Sequence, residues 1–457
     1  MDTKNKRIAQ KILVGRIYIV LSILIAVISV VVLWKNSYSP WKTVGMSSWL
    51  KLAALVIGYG AIYHFFAKMY RAYRFGIYRL TELMYSQFLA FGIANVVLYI
   101  EAGIFYHKLT SIVPFLVTYF FQMLAEAVII FIVNRLYMCC YVPKEIVIVY
   151  GREASNYKDF VRKVESKHGR YIIRGIYDEQ SVYHKGIPDI EGVESVYLYE
   201  VSREIKEYLV HYCYNREIDV YLTRTVIELL LEGFETSHTF DTPFLRTNRE
   251  PVRWYYPYAK RLMDIVLSLI GLVVLSPIFL ITALCIKLSD KGPVFYKQTR
   301  LTLNHKEFEI YKFRSMVVDA EKDGKARLAQ EHDSRITPVG KIIRKTRIDE
   351  IPQIINILKG EMSFVGPRPE RPEIEKEYLE ILPEFGLRLK VKSGLTGYAQ
   401  IFGKYNTTPQ DKLRLDLLYI NNRSMLLDWK LILWTIKIIF VPESTEGVDE
   451  EKTTAIQ

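Results

Sequence analysis

Four apolar stretches, at roughly 14–33, 49–66, 83–100 and 112–133, constrain this chain more than any other feature. Each approaches or exceeds the roughly 20 residues that a helix needs to cross the hydrocarbon core of a bilayer, the third being the weakest. The positive charges set a direction. Lys4, Lys6, Arg7 and Lys11 precede the first stretch, and Lys68, Arg71, Arg74 and Arg79 crowd the loop after the second. The loops near 34–48 and 101–111 carry only Lys35 and Lys42, and Glu101 and Lys108. The positive-inside bias therefore predicts a multi-pass region, 1–142, of four transmembrane helices with both ends in the cytoplasm. No small-residue cleavage site follows the first run, so it reads as a retained span rather than a removable signal peptide. Glu126 inside the fourth span reads as a helix–helix hydrogen bond rather than a transport pathway, because no cationic partner occurs in the neighbouring spans.

After Pro143 short β-rich runs such as EIVIVY, YIIRGIY and SVYLYE alternate with amphipathic segments, the last at 224–232. That alternation predicts a Rossmann-like α/β domain over 143–235 with a parallel sheet. Its first strand runs into Gly151 and REASNYKDF, without the further glycines that let a backbone wrap a pyrophosphate, so no dinucleotide motif is present. A structural, oligomerising or regulatory role fits, and a homodimer is expected. A turn- and aromatic-rich linker, 236–258, follows. The fifth apolar segment, 262–286, has Ser276-Pro277 near its middle and basic residues on both flanks, Lys260 and Arg261 before, Lys287 and Lys291 after. Pro277 lacks an amide hydrogen and clashes with the carbonyl of Val273, so it can bend the helix back to its side of entry. Basic residues at both ends favour that re-entrant form over a full crossing.

Downstream the chain is basic and turn-rich. An adjacent carboxylate pair, Asp349 and Glu350, lies between Arg344 and Arg347 and the turn Gly366-Pro367-Arg368-Pro369. Two acids among cations point to phosphate and divalent-metal chemistry. The net charge of +12 suits an anionic membrane or a phosphorylated substrate, and the expected partners are these rather than nucleic acid. Four cysteines, Cys139, Cys140, Cys213 and Cys285, show neither disulfide nor zinc spacing, which fits a reducing cytoplasm. Arg344 and Arg368 are candidate phosphate-binding residues, because a guanidinium fork matches two phosphoryl oxygens. Pro367 and Pro369 would fix the backbone around Arg368. Lys297, Lys312 and Arg314 are weaker candidates for the same anionic surface.

Several pieces in this region, Ser276-Pro277, YKFRSM (311–316), RKTRIDEIPQ (344–353), SFVGPRPE (363–370) and SGLTGYAQ (393–400), occur together and in order. On these the region from about 256 to 440 resembles the bacterial sugar transferase family, the monotopic polyprenyl-phosphate hexose-1-phosphate transferases that start exopolysaccharide, capsule and O-antigen assembly. The preceding spans and α/β domain resemble the family's long members. The resemblance implies a mainly α catalytic domain, 259–441, with a re-entrant membrane helix at the cytoplasmic face of the inner membrane. It implies UDP-sugar and undecaprenyl phosphate as substrates and Mg²⁺ as cofactor, held by Asp349 and Glu350. It implies that Asp349 attacks the phosphate bonded to the sugar, giving a covalent phosphosugar and UMP, and that Glu350 handles Mg²⁺ or activates the second substrate.

Residues 425–440, MLLDWKLILWTIKIIF, read as a helix in the headgroup interface, with a buried core helix as the alternative. The polar tail, 442–457, reads as flexible. A non-catalytic membrane scaffold for polysaccharide assembly is the alternative function, and a transferase that moves the sugar alone and releases UDP is another. The hexose is not legible, glucose and galactose being the leading expectations.

Overall fold

The computed structural model describes residues 2–37, 48–75, 78–107, 110–152, 154, 156–166, 169–186, 192–231, 235–239, 242–246, 253–318, 335–403 and 407–439. The 442–457 tail, most of the 34–48 loop and parts of the 236–258 linker lie outside them. The chain divides into two compact units, Met1–Thr223 and Arg224–Gln457.

The first unit opens with four helices, α1 (Asp2–Ser37), α2 (Ser48–Met69), α3 (Leu80–Tyr106) and α4 (Val113–Cys139). All four are long and apolar enough to cross a membrane, including the weak third segment, in which 25 residues qualify. Apolar side chains such as Ile28, Phe65, Val96 and Phe131 point outward, while polar ones are buried. Tyr18 Oη and Ser22 Oγ donate to Glu126 Oε1 at 2.6 and 2.8 Å, and Asn95 Nδ2 donates to Gln122 Oε1 at 2.7 Å. Glu126 is thus a helix–helix hydrogen-bond acceptor. With no water to satisfy such groups in lipid, pairing between helices is their remaining outlet.

The α/β region follows as β1 (Lys144–Tyr150), α5 (Tyr157–Glu165), β2 (Tyr171–Asp178), α6 (Glu179–Lys185), β3 (Ser195–Tyr199), α7 (Arg203–Tyr214) and β4 (Asp219–Leu222). The four strands pair in parallel in the order β2-β1-β3-β4. Successive β1 side chains face opposite ways, and both sides are buried: Ile146 and Ile148 with Val161 of α5, Val147 and Val149 with Ile205 and Leu209 of α7. That two-sided burial is why β1 reads as an unbroken apolar run. At the carboxyl ends of β1 and β3, where such sheets hold ligands, the Glu179 carboxylate accepts from the amides of Arg152 (3.0 Å) and Ser202 (2.8 Å).

The second unit contains α8 (Val226–Leu231), the antiparallel pair β5 (Glu235–Thr239) and β6 (Thr242–Arg246), α9 (Tyr256–Asp290), and the hairpin β7 (Phe295–Thr302) and β8 (Lys306–Phe313). Then come α10 (Pro338–Lys345), a 3₁₀ turn at Ile348–Glu350, α11 (Gln353–Lys359), β9 (Ser363–Val365), α12 (Pro372–Ile381), β10 (Gly394–Thr396), α13 (Tyr398–Phe402), α14 (Pro409–Asn422) and α15 (Met425–Ile439). Two sequence expectations change here. The amphipathic segment 224–232, assigned above to the α/β domain, packs in the second unit: Leu229 joins Val365, Phe385 and Leu417, and its carbonyl accepts from Asn421 Nδ2 at 2.6 Å. The expected linker includes a strand pair.

Nor is α9 interrupted at Pro277; it is one helix of 35 residues. Pro277 leaves the Val273 carbonyl without its usual amide donor, and Ser276 Oγ donates to that carbonyl at 2.8 Å. The Ser-Pro pair therefore repairs the bond that it breaks, and any bend lies within a continuous helix. Both halves of α9 pack on the same unit. Arg261 donates to the last carbonyls of α11, Ile357 and Leu358, both at 2.7 Å, and Asp264 accepts from Ser363 Oγ and the Phe364 amide. Farther along, Phe279, Ala283 and Ile286 pack with Phe313 and Ile343. Between and around these contacts Leu269, Val273, Val274, Leu280 and Leu284 are exposed. One face of α15 is also core, with Asp428, Leu431 and Trp434 buried, while Leu426 and Trp429 stay exposed.

Charges are buried under this unit as well. Arg388 is fully enclosed, with Nε 2.9 Å from Asp416 Oδ2 and Nη1 3.4 Å from Glu370 Oε1, and Lys412 also pairs with Glu370. Nearby Glu375 on α12 is 2% exposed, and neither of its carboxylate oxygens has a hydrogen-bond partner. Burial pushes its carboxyl from 4.5 up to about 7; Glu370 and Asp416 add to the rise, while Arg388 and Lys412 oppose it. The folded protein then keeps a proton that the unfolded chain has released, so stability falls as pH rises from about 4.5 through about 7. At about 1.4 kcal/mol per pKa unit, the loss is at most about 3.5 kcal/mol. Glu375→Gln should remove it: the thermal midpoint of the solubilised protein should match the parent at pH 4.5 and exceed it at pH 8.

Candidate active site

The site is assembled by a helix end, a turn and a hairpin. α10 starts with Thr337 capping the Gly340 amide at 2.9 Å and ends at Thr346. Arg347 follows in the left-handed region, at φ 59° and ψ 15°. A glycine usually fills such a place, and a side chain there costs about 1 kcal/mol. The left-handed residue reverses the chain into the 3₁₀ turn that carries Asp349 and Glu350. Ile348 and Ile351, on either side of the pair, pack onto the cluster of Ile286, Phe313 and Ile343 and seat the turn.

Glu350 Oε1 receives Arg368 Nη2 at 2.9 Å and Lys312 Nζ at 3.2 Å, with Arg347 Nη1 at 3.9 Å. Its side chain is 12% exposed. Burial alone would raise its carboxyl, but Arg368, Lys312 and Arg347 outweigh that and hold it well below the usual carboxylate range. Asp349 moves the other way: burial and the neighbouring Glu350 charge raise it to about 6, against the pull of Lys312, Arg344 and Arg347. Burial lowers the Lys312 ammonium, countered by Glu350, whereas the Glu350 charge raises the Arg368 guanidinium. Two adjacent acids are thereby made unlike. Glu350 is a fixed anion that organises cations, and Asp349 is the less committed carboxylate.

β8 and α11 fix Lys312 relative to this pair through one side chain. Asn356, fully buried on α11, accepts from the Tyr311 amide at 2.9 Å and donates to the Glu309 carbonyl at 2.7 Å, locking α11 along β8. Arg368 comes from the turn between β9 and α12. The Gly366 amide donates to the Thr396 carbonyl and the Gly394 amide to the Pro367 carbonyl, both at 2.8 Å. A Cβ on Gly394 would lie 2.1 Å from the Gly366 nitrogen, so this close approach of strands requires glycine.

Of the residues singled out in the sequence, the structure brings Asp349, Glu350, Arg344, Arg368 and Lys312 together and adds Arg347. Lys297 is not with them. It lies opposite Tyr311 in the β7–β8 register, on the face away from Lys312, and pairs with Glu309 at 3.0 Å in an exposed position. Arg314 is buried, its guanidinium packed so closely on Gly292 that a Cβ there would meet Nη1 at 1.9 Å. Asn356 escaped the sequence reading; the one signal was an amide within the apolar run QIINILK.

Among the described residues, no group of three or more His, Cys, Asp or Glu forms a metal cage. Mg²⁺ is commonly held by one or two carboxylates together with substrate phosphates, and Asp349 and Glu350 are the carboxylates that this site would offer it, Glu350 with one oxygen already against Arg368 and Lys312. The surrounding Arg344, Arg347, Arg368 and Lys312 suit phosphoryl oxygens.

A model of the family described as "Bacterial sugar transferase" matches residues 255–442. Among curated proteins, UDP-N-acetylgalactosamine-undecaprenyl-phosphate N-acetylgalactosaminephosphotransferase of Aeromonas hydrophila is 38% identical over 230 residues, 50% of this chain and 53% of that protein. UDP-glucose:undecaprenyl-phosphate glucose-1-phosphate transferase of Klebsiella pneumoniae is 42% identical over 190 residues, 40% of this chain and 41% of that protein. The match thus spans about half the length, or less, of these two relatives. The uncharacterized sugar transferase EpsL of Bacillus subtilis (strain 168) is 39% identical over 199 residues, 43% of this chain and 95% of that protein.

The two lysines on the hairpin give a direct contrast. Lys312→Ala should lower the rate of a phosphoryl transfer at this site by about 100-fold, the scale for losing a charged donor in a water-poor site, while Lys297→Ala should change it less than about 2-fold. Steady-state rates in washed membranes, normalised to protein level, check both.

Proposed function

This chain belongs to the bacterial sugar transferase family, and we propose that it transfers a hexose 1-phosphate from a UDP-sugar to undecaprenyl phosphate. The products are UMP and the undecaprenyl-diphosphate sugar, the first membrane-bound intermediate of an exopolysaccharide, capsule or O-antigen. The observation that carries this reading is geometric: Arg368 at 2.9 Å and Lys312 at 3.2 Å hold Glu350 Oε1, and Asp349 is its neighbour on the same short turn, beside those cations.

In the first step an Asp349 oxygen bonds to the phosphorus that bears the sugar, and the bond from that phosphorus to the bridging oxygen breaks, the electron pair leaving with UMP. In the second, a phosphate oxygen of the lipid bonds to the same phosphorus and the Asp349 carboxylate is restored. Arg368 and Arg344 hold phosphoryl oxygens and disperse their charge. Lys312 and Arg347, already against Glu350, keep the pocket positive through both steps. Mg²⁺, held by Asp349 or Glu350 with substrate oxygens, would neutralise pyrophosphate charge and aid departure of UMP.

UDP-sugars are cytoplasmic, so in this reading the second unit lies at the inner face of the plasma membrane and α9 enters the bilayer without crossing it. What supports this is that α9 packs on one unit from Arg261 to Ile286. A straight helix of 35 residues would be about 50 Å long, well beyond the roughly 30 Å bilayer core, and a full crossing would separate those contacts.

Asp349→Asn should reduce UMP release from UDP-glucose or UDP-galactose by at least about 1,000-fold while the protein stays in the membrane. Normal release from that variant, or UDP as the nucleotide product, contradicts the reading. In a protein without its native cysteines, Tyr258→Cys and Lys291→Cys should both react with an impermeant maleimide in inverted vesicles and both resist it in intact cells. Opposite labelling of the two sites would mean a full crossing.

A further inference from the structure

Buried charges next to the site raise the question of what they do, since a buried ion pair is commonly no better for stability than well-packed apolar side chains. Arg388 has three partners in different directions. Nε lies 2.9 Å from Asp416 Oδ2, Nη1 lies 3.4 Å from Glu370 Oε1, and Nη2 donates to the main-chain carbonyl of Arg368 at 2.9 Å. A second guanidinium makes the matching contact one residue on: Arg300 Nη1 donates to the Pro369 carbonyl at 3.1 Å, while its Nη2 is held by Gln298 Oε1 at 2.6 Å. With the Gly394 amide on the Pro367 carbonyl and the Leu301 amide on the Glu370 carbonyl, four consecutive carbonyls of the turn are occupied.

Carbonyls are the handles here because Pro367 and Pro369 have no amide hydrogen. Rings alone fix two φ angles but do not say where the turn sits. The two guanidiniums do, because Arg388 is tied to Asp416 on α14 and to Glu370, and Arg300 is carried by β7, next to the hairpin strand that bears Lys312. Neither side chain is bonded to Asp349 or Glu350. Their effect passes through the backbone of Arg368, whose own guanidinium points the other way, to Glu350 Oε1 at 2.9 Å.

We propose that Arg388 and Arg300 are positioning residues for the transfer reaction: they clamp the Arg368 and Pro369 carbonyls and so set the reach of the Arg368 guanidinium. A lysine cannot replace either, since one ammonium on a flexible stem does not meet the three fixed partners of Arg388 or the two that Arg300 holds with separate nitrogens. A displacement of about 1 Å at a charge-bearing group is enough to cost about 100-fold in rate. This inference rests on the phosphosugar-transfer reading.

The test is a double-mutant cycle on the full-length protein in membranes, with UMP release from UDP-glucose or UDP-galactose, whichever the parent uses, as the readout. Arg388→Lys and Arg300→Lys should each lower kcat about 10- to 100-fold, with thermal midpoints close to the parent's. In an Arg368→Lys background either change should cost less than about 3-fold more, because the group being positioned has already been altered. Equal losses in both backgrounds would overturn the proposal and leave a purely structural role. Should Arg388→Lys fail to fold, the Arg300→Lys arm decides by the same criterion. If the parent releases no UMP from either sugar nucleotide, the transfer reading falls and this inference with it; UMP release with additive effects overturns the inference alone.

Discussion

The arrangement depends on one carboxylate oxygen, Glu350 Oε1, that meets Arg368 and Lys312 within hydrogen-bonding distance. Two half-buried acids side by side on one short turn would repel each other if both were charged and equally placed. Assigning the cations to Glu350 resolves this. Glu350 stays ionised, while burial, together with the Glu350 charge, raises Asp349. The same contacts draw β8, the 3₁₀ turn and the Gly366–Pro369 turn together, so that electrostatics and local geometry cannot be altered separately.

Much of the second unit holds those three pieces still. Arg347 accepts a left-handed conformation that brings the dyad round the end of α10 and places one more cation by Glu350. Asn356 couples α11 to β8, Arg261 couples α9 to α11, and Asp264 couples α9 to β9. The long apolar helix α9 is thus joined by polar bonds to the elements that carry the site, while its outer face keeps Val273, Val274 and Leu280 exposed. In the proposed reaction one soluble and one lipid phosphate meet at this site, which needs continuity between bilayer and chemistry.

Features written locally in the chain were legible before the structure. The apolar runs gave α1 to α4, the EIVIVY run gave a strand of a parallel sheet, and the ordered motifs gave the region that holds the dyad. Features that depend on which distant residue answers a charge were not. Lys297 and Lys312 look equivalent in sequence, and only the hairpin register puts them on opposite faces. Arg388 lies in an ordinary stretch, EFGLRLK, and its importance comes from Asp416 and a carbonyl at Arg368. The segment 224–232 has the helical period expected of the α/β domain, but period does not reveal which core receives Leu229. Ser276-Pro277 signalled a break, and the hydroxyl beside it supplied the bond that keeps the helix continuous.

The central claim is that Asp349 becomes bonded to phosphorus while UMP departs. Mass spectrometry of the protein, quenched after incubation with a turned-over UDP-sugar and no lipid phosphate, tests it most directly. The account predicts a hexose phosphate on the peptide containing Asp349, absent from Asp349→Asn and lost when undecaprenyl phosphate is added. UMP release that begins only on adding the lipid phosphate, with Asp349 unmodified throughout, would contradict it.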